Sequence, residues 1–380
     1  MAFDKVVDST VLDATFTAIA DAIRDKKGIT DLITPEQMPE EIYGIVTDGE
    51  NGAYDEEWFH DGDTHIWVRL IEGRTSPILG VCPNGTVTVD WGDGTEPDTL
   101  TGTSTSAVKW TPTHNYAEPG DYIITLKTDG QIGFAGSSSN NQYSYLLRHS
   151  SGADVRNDVY RYAIHKVECG ANVSRINNYA FYQCISIISV TISDGVASIG
   201  EYAFSKCYSL TSVTIPDGVA SIGNSAFSNC YSLTSVTIPD GVASIGNSAF
   251  QECYSLTSVA IPGSVSSIGS SAFYQCYSLI SVTIPDGVAR IDNSALGFCS
   301  SLTSVTIPGS VSSIAASGFY GCGCLCYCDF TKHTTVPTLE KTNAFDKTPT
   351  DLQILVPAGL YDEWIAATNW SAYASQIVAV

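Results

Sequence analysis

The sequence predicts a multidomain, mainly β protein in which a short helical segment precedes a β-sandwich and a long solenoid of repeated coils. Three observations lead to this prediction. Residues 9–27 carry one apolar stripe at helical spacing, residues 55–135 contain short alternating runs, and apolar residues recur every 23 positions beyond residue 160. We therefore place the domains at residues 1–50, 55–150 and 160–380, with a C-terminal cap that begins at about residue 352.

The N-terminal segment is predicted to form two helices. Residues 9–27 place their apolar side chains on one face, and Gly28 follows the last turn. The capping pattern Thr34-Pro35-Glu36-Gln37 opens a second helix that runs to about Val46. A helical pair this short is marginally stable alone, so we expect it to dock on a larger assembly or on a second copy of itself.

The stretch from Leu12 to Gly28 is similar to the N-terminal segments of tail-associated proteins in phages and prophages of gut bacteria. The resemblance covers about 45 residues. It implies that this segment attaches the protein to a virion.

Residues 55–135 are predicted to be rich in strands. The runs 66–70 and 86–89 are apolar or alternate, and Asp93-Gly94 marks a tight turn. The motifs that start at Val89 (V-D-W-G-D-G-T) and at His114 (H-N-Y-A-E-P-G-D-Y) resemble the two halves of the PKD domain, in the same order. That resemblance implies a small β-sandwich that serves as a spacer or a binding module.

The repeat region is built on one 23-residue unit. The unit that starts at Leu210 reads L-x-x-V-x-I-P, followed by a valine, an isoleucine, Ala-Phe and a cysteine. Units begin at positions 164, 187, 210, 233, 256, 279 and 302, with a degenerate unit at 325 and a last strand at 352, and Leu296 takes the place of the phenylalanine in one of them. The period and the spacing of the apolar residues predict a leucine-rich-repeat solenoid, in which each coil buries the apolar side of its neighbour. Residues 357–370 are predicted to be an amphipathic helix that caps the end of the solenoid.

These units resemble the BspA-like leucine-rich repeats of bacterial surface proteins, which carry I-P-x-x-V-x-x-I-G-x-x-A-F-x-x-C. The resemblance covers about residues 164–380. It implies adhesion or recognition at a cell surface and does not imply catalysis.

Seven cysteines lie on the repeat lattice, at positions 184, 207, 230, 253, 276, 299 and 322. We interpret them as small apolar residues of the core, although adjacent coils also place them near disulfide distance. In the run Cys322-Gly-Cys324-Leu-Cys326-Tyr-Cys328, the first and last thiols are expected to face inward and the middle two outward. Four thiols on alternating sides do not converge on one metal ion.

Two surfaces of the repeats are candidate binding sites. The first is a row of regularly spaced tyrosines that follow the lattice cysteines, namely Tyr208, Tyr231, Tyr254 and Tyr277. The second consists of threonines at outward strand positions, namely Thr211, Thr214, Thr234 and Thr237. Aromatic rings beside hydroxyl groups suit a glycan or a protein partner. The alternative is that the near-identical units arose by duplication and that the tyrosines only pack on one another.

One cluster has the composition of a metal site. His60, Asp61, Asp63 and His65 bring two imidazoles and two carboxylates together within six residues, a set able to bind a divalent cation. The alternative is a polar hairpin turn that precedes a strand. Asp90 and Asp93 suit turn capping better than calcium binding, since no third acidic residue follows at a loop spacing.

Charge and motifs exclude several functional classes. With 40 acidic against 18 basic residues the net charge is −22, which makes nucleic acid an unlikely partner. No apolar stretch reaches membrane-spanning length, the first residues do not resemble a signal peptide, and no catalytic or cofactor-binding motif is present.

The sequence therefore predicts a non-enzymatic binding protein without a cofactor, a virion-associated receptor-recognition protein of a phage or prophage. Its partner would be a protein or glycan on a cell surface, and the N-terminal helices would serve assembly. The alternative is a BspA-like adhesin of the bacterial cell surface.

Overall fold

The fold is mainly β and contains a β-solenoid of about nine turns. A computed structural model describes residues 61–71, 75–106, 108–134, 146–149 and 163–380. The predicted N-terminal helices lie outside these residues. The chain divides into two compact units: unit 1 comprises Met1–Thr214 with Cys230–Ser232, and unit 2 comprises Ile215–Asn229 with Leu233–Val380.

Unit 1 contains antiparallel strands followed by the first coils of the solenoid. Its strands are β1 (Thr64–Leu70), β2 (Pro77–Asp90), β3 (Asp98–Thr103), β4 (Lys109–Trp110), β5 (Gly120–Thr128), β6 (Gln131–Phe134), β7 (Leu147–His149), β8 (Ile164–Glu168), β9 (Val173–Ile176), β10 (Ser189–Thr191) and β11 (Ser212–Thr214). The long strand β2 pairs antiparallel with β3 to β7, and β1 pairs antiparallel with β5. The predicted runs 66–70 and 86–89 lie in β1 and β2, which confirms them as strands.

The first coil of the solenoid continues the antiparallel sheet. Strand β8 pairs antiparallel with β1 on one side and parallel with β10 on the other, so that Val167 is in register with both Ile66 and Val190. Strand β9 of the same coil pairs parallel with β6, so that Ile132 is in register with Val173. The antiparallel strands thus cover polar strand edges that the first coil would otherwise expose.

Unit 2 consists of parallel coils and a short C-terminal helix. Its elements are β12 (Ser221–Ile222), β13 (Ser235–Thr237), β14 (Ser244–Ile245), β15 (Ser258–Ala260), β16 (Ser267–Ile268), β17 (Ser281–Thr283), β18 (Arg290–Ile291), β19 (Ser304–Thr306), β20 (Ser313–Ile314), β21 (Tyr327–Asp329), β22 (Thr338–Leu339), β23 (Gln353–Val356), helix α1 (Tyr361–Ala366), β24 (Ile377–Ala379), and two 3₁₀ turns at Ala358–Leu360 and Trp370–Tyr373. Strands β13, β15, β17, β19, β21, β23 and β24 form one parallel ladder.

Each coil buries the apolar positions of the repeat. In the coil that starts at Leu256, the side chains of Val259, Ile268 and Phe273 are at most 5% exposed, as is that of Cys276. Phe250 stacks on Phe273 with the ring centroids 5.4 Å apart and the planes 3° from parallel. The predicted core of the solenoid is confirmed.

In the seven coils that start at positions 164 to 302, two residues four positions apart adopt a left-handed backbone conformation. Ser248 and Glu252 have φ values of 54° and 59°. Between them, the amides of Ser248, Phe250 and Glu252 donate to carbonyls of the next coil at 2.8–2.9 Å. The left-handed backbone at the two positions directs alternate N–H groups towards the neighbouring coil. The side of the coil that carries these residues, here called the turn side, is therefore hydrogen-bonded to its neighbour without a regular strand.

The C-terminal helix is shorter than predicted. The expected helix over 357–370 is limited to α1 and the two 3₁₀ turns, because Ala367 is extended with a ψ of 146° and ends α1. Asn369, with a φ of 67°, then precedes the second 3₁₀ turn. The chain then adds strand β24 to the edge of β23. No helix among the residues described is both long and apolar enough to cross a membrane.

Candidate functional site

In each unit, the outward side of the parallel Ser-Val-Thr strands presents small hydroxyl groups. In each Ser-Val-Thr strand the valine is buried, while the serine and threonine face away from the core. Thr214, Thr234 and Thr237 are exposed, and Thr211 is half-buried. The hydroxyl of Thr211 donates to the Ile188 carbonyl at 3.1 Å, so this row also links adjacent coils.

The predicted tyrosine row forms stacked pairs. In unit 1, Tyr208 and Tyr231 stack with centroids 4.7 Å apart and planes 6° from parallel; in unit 2, Tyr254 and Tyr277 stack at 5.0 Å. Tyr208 is buried and the other three rings are half-buried. Burial raises the pKa of Tyr277, and the negative charge of Glu252 adds to this effect. The stacked faces cover each other. The row therefore fits either of two roles, packing between coils or contact with a ligand.

Two side chains of the candidate metal cluster, Asp61 and His65, are hydrogen-bonded to each other. His65 is buried, and its two ring nitrogens lie 3.0 Å from Asp61 Oδ1 and 3.1 Å from Thr125 Oγ1. The hydrogen bond with His65 lowers the pKa of Asp61. Lys127 Nζ lies 3.6 Å from a carboxylate oxygen of Asp63. His60 is outside the described residues, and within those residues no three His, Cys, Asp or Glu side chains are arranged to hold a metal ion.

The two motif halves that start at Val89 and His114 come together in unit 1. The Trp91 indole stacks on the His114 ring at 4.5 Å, and the Tyr116 hydroxyl donates to the Trp91 carbonyl at 2.9 Å. Asp93 Oδ2 lies 2.9 Å from His114 Nε2. Burial alone would raise the pKa of Asp93, but hydrogen bonds from Thr95 and His114 leave it lowered. Asp93 also accepts from the Thr95 amide, and Asp90 from the Gly92 amide, which confirms both carboxylates as turn caps.

Ten of the twelve cysteines are buried, and none of the twelve, all within the described residues, forms a disulfide. Cys324 and Cys326 are the two exposed ones, whereas Cys322 and Cys328 face the core. This arrangement confirms the alternation predicted for residues 322–328.

Two aromatic clusters on the turn side of the coils were not predicted. Tyr179, Tyr182 and Tyr202 lie together in unit 1, close to Lys206. In unit 2 the corresponding group is Tyr274, Phe298, Tyr320 and Lys347. Their only signal in the sequence is an aromatic residue at positions where most units carry Ser, Gln or Asn.

The chain is similar to several proteins of known structure. A leucine-rich repeat protein of T. pallidum is 32% identical over 42% of this chain and 77% of its own length, with a TM-score of 0.40. A leucine-rich repeat protein of Bacteroides ovatus is 24% identical over 51% of this chain and 55% of its own, with a TM-score of 0.41. A leucine rich cell surface protein of Faecalibacterium prausnitzii is 29% identical over 52% of this chain and 74% of its own, with a TM-score of 0.32.

No curated protein matches the chain significantly. The family of BspA type leucine rich repeat regions matches residues 157–269 and 220–350, in six copies. Together these two segments span more than half of the chain, and they coincide with the coils described above. The chain therefore belongs to the BspA-type leucine-rich repeat family.

Proposed function

We propose that this protein is a non-enzymatic adhesin that binds a protein or glycan partner at a cell surface. Membership of the BspA-type family supports this function, and leucine-rich repeats of this kind are typically binding scaffolds without catalytic activity. The name of the related F. prausnitzii protein, a leucine rich cell surface protein, is consistent with the location. Adhesion at a cell surface is therefore favoured over the virion-associated function.

The observation that carries the proposal is the outward side of the parallel ladder in unit 2. Its strands hold serine and threonine hydroxyls in register, for example Ser235 with Ser258 and Ser258 with Ser281. The inward valines of the same strands are 5–7% exposed, so the backbone that carries the hydroxyls is anchored in the core. A regular and rigid row of small polar groups loses little conformational entropy when it binds a partner.

Attachment to a virion would depend on residues 1–50, which lie outside the described residues. The family match does not include that segment. The resemblance to tail-associated proteins is thus a separate hypothesis about how the protein is attached, and it is not needed for adhesion by the repeats.

The flanking modules have supporting roles in this proposal. The antiparallel strands of unit 1 act as a PKD-like spacer, supported by the packing of Trp91 against His114 and Tyr116. The C-terminal turns act as a cap, supported by the buried Trp364 and Trp370 and by the 2.7 Å hydrogen bond from Trp370 Nε1 to the Pro337 carbonyl.

The full chain, fluorescently labelled, should bind selectively to some members of a panel of gut bacterial and host epithelial cells. Thr237→Arg combined with Thr283→Arg places bulk and charge on the exposed hydroxyl rows and should weaken this binding at least tenfold. Ala243→Arg is the matched control, because Ala243 is exposed and precedes β14, a strand outside this ladder. Absence of binding by the unmodified chain to every cell type would overturn the proposal.

Tyr231→Ala with Tyr254→Ala tests the tyrosine row in the same assay. Weaker cell binding at an unchanged melting temperature would assign the row to the binding surface. A lower melting temperature with cell binding retained would mean that the rings only pack on one another.

A further inference from the structure

A lysine lies over a tyrosine at the same place of the repeat in both units. In unit 1, Lys206 Nζ is 6.0 Å from the centroid of the Tyr182 ring; in unit 2, Lys347 Nζ is 5.0 Å from the centroid of Tyr320. Both lysines belong to the coil that follows their tyrosine, and their φ values are 63° and 60°. The arrangement therefore occurs twice in one chain, at equivalent positions.

Further aromatic rings complete each cluster. In unit 1, Tyr179 stacks on Tyr202 at 4.9 Å, and Tyr182 meets Tyr179 edge to face at 5.5 Å. In unit 2, Phe298 lies between two tyrosines, with centroid distances of 5.6 Å to Tyr274 and 5.2 Å to Tyr320. All six rings are half-buried, so part of each remains open to solvent.

The fold does not require aromatic residues at these positions. Tyr179, Tyr202 and Phe298 have φ values of 62°, 55° and 58°, a backbone region that bulky residues rarely occupy. The equivalent positions elsewhere carry Ser248 or Asn229, which form the same turn. The aromatic residues are therefore a departure from the repeat at a turn that small polar residues form equally well.

Two glycines make room for the cluster of unit 2. A Cβ atom on Gly297 would lie 3.1 Å from Tyr274 Cδ2, and one on Gly321 would lie 2.8 Å from Phe298 Cδ1. The rings of Tyr274 and Phe298 thus lie directly over bare backbone. This close packing holds the rings in place before any ligand arrives.

The charge beside the rings is opposite to that of the protein as a whole. The chain has a net charge of −22, yet among the residues described neither Lys206 nor Lys347 forms an ion pair. The neighbouring Asp346 has its Oδ1 atom 3.3 Å from the Tyr373 hydroxyl. Each cluster therefore offers apolar rings, phenol hydroxyls and one ammonium group.

We propose that the two clusters are subsites for uronic-acid residues of a glycan. The apolar C–H face of the sugar would lie against the rings, its hydroxyls would bond the phenols, and its carboxylate would pair with the lysine. This assignment deepens the proposed adhesive function and rests on it. An acidic peptide has no flat apolar face that lies against three rings, and a protein partner would need a far larger complementary surface.

The test titrates the full chain with trigalacturonic acid and with the same trimer esterified at its carboxylates, by calorimetry or NMR. The ester should bind at least tenfold more weakly than the acid. Lys206→Gln with Lys347→Gln should weaken binding of the acid by a similar factor and leave that of the ester unchanged. Phe298→Asn should weaken binding of both ligands at the cluster of unit 2 and leave the cluster of unit 1 unchanged. Gln275 and Asn229 show that the repeat accepts these replacements at the same backbone conformation.

Lys332→Gln is the matched control, because it removes the same charge from an exposed position away from the rings. The affinity of this variant for the acid should equal that of the unmodified chain. The proposal is overturned if the acid does not bind, if acid and ester bind equally, or if a hexaglutamate peptide binds more tightly than the trimer. Failure of the adhesive function is a separate result. Cell binding that survives all three cluster substitutions would reject the subsites and leave adhesion intact, whereas an unmodified chain that binds no cell would reject adhesion.

Discussion

The thiol of Cys253 donates a hydrogen bond to the carbonyl oxygen of Phe227 in the preceding coil, with a sulfur–oxygen distance of 3.2 Å. The same bond recurs in both units, at Cys207, Cys230, Cys276, Cys299 and Cys322, with distances of 3.1–3.2 Å. The lattice cysteine is therefore a donor that joins adjacent coils as well as a small residue that fills the core.

Cys253→Ala should lower the free energy of unfolding by about 1–3 kcal/mol, because the Phe227 carbonyl loses this donor in a site that excludes water. Cys253→Ser keeps a donor at the same place and should cost less than the alanine substitution. Urea denaturation of the three proteins provides the comparison. An alanine variant more stable than the serine variant would show that only the apolar character of the position matters.

Two thiols should react rapidly with a disulfide reagent in the folded protein, and the other ten only after denaturant is added. The fast pair is Cys324 and Cys326, which are exposed, while the slow thiols lie in the core and form thiolates with difficulty. Thiol titration with and without guanidinium measures both groups. Cys324→Ser with Cys326→Ser should abolish the fast phase; more than two fast thiols would contradict the described packing.

The free energy of unfolding should fall as the pH rises above about 9. Burial raises the pKa of Cys322 from 9.0 to about 12, and it raises the pKa values of Cys207, Cys276 and Cys328 in the same direction. The unfolded chain then loses these protons first, so the stabilisation is complete below pH 9 and is lost progressively towards pH 12. Each such thiol contributes a slope of about 1.4 kcal/mol per pH unit.

Urea midpoints measured between pH 7 and 11 check the predicted slope. Cys322→Ala should make it shallower than in the unmodified chain. An unchanged slope would mean that this thiol does not contribute to the alkaline loss of stability.

Gly170→Ala should destabilise unit 1 where the first coil meets β1. A Cβ atom there would lie 2.4 Å from the Gly62 carbonyl oxygen, and the Gly170 amide donates to Thr64 Oγ1 at 2.9 Å. The backbone would have to shift, so we expect a loss of about 1–3 kcal/mol. Gly263→Ala is the control, because a Cβ atom there meets nothing within 4 Å. Thermal melts of both variants measure the difference; equal melting temperatures would argue against a tight junction at Gly170.

The repeat region could be predicted in detail because its signal is redundant. Val259, Ile268 and Phe273 recur at the same spacing in unit after unit, and only stacked coils bury all of them at once. The candidate binding surfaces were predicted less completely. The outward threonines follow from the alternation of a strand, whereas the aromatic clusters depend on pairs such as Tyr274 and Phe298, which are 24 residues apart and meet only after the coils stack.

The sequence by itself determined the coil, its period, its core and the inward position of the lattice cysteines, since each depends on local periodicity repeated many times. Tertiary structure alone decided which atoms meet between coils. The pairing of β1 with β8, the bond from Cys253 to Phe227 and the position of Lys347 over Tyr320 arise from contacts between distant segments. The physical reason is that each contact joins atoms far apart in the chain. On the turn side the contacts also depend on a left-handed backbone, which residues such as Ser248 and Glu252 adopt without a glycine to mark it.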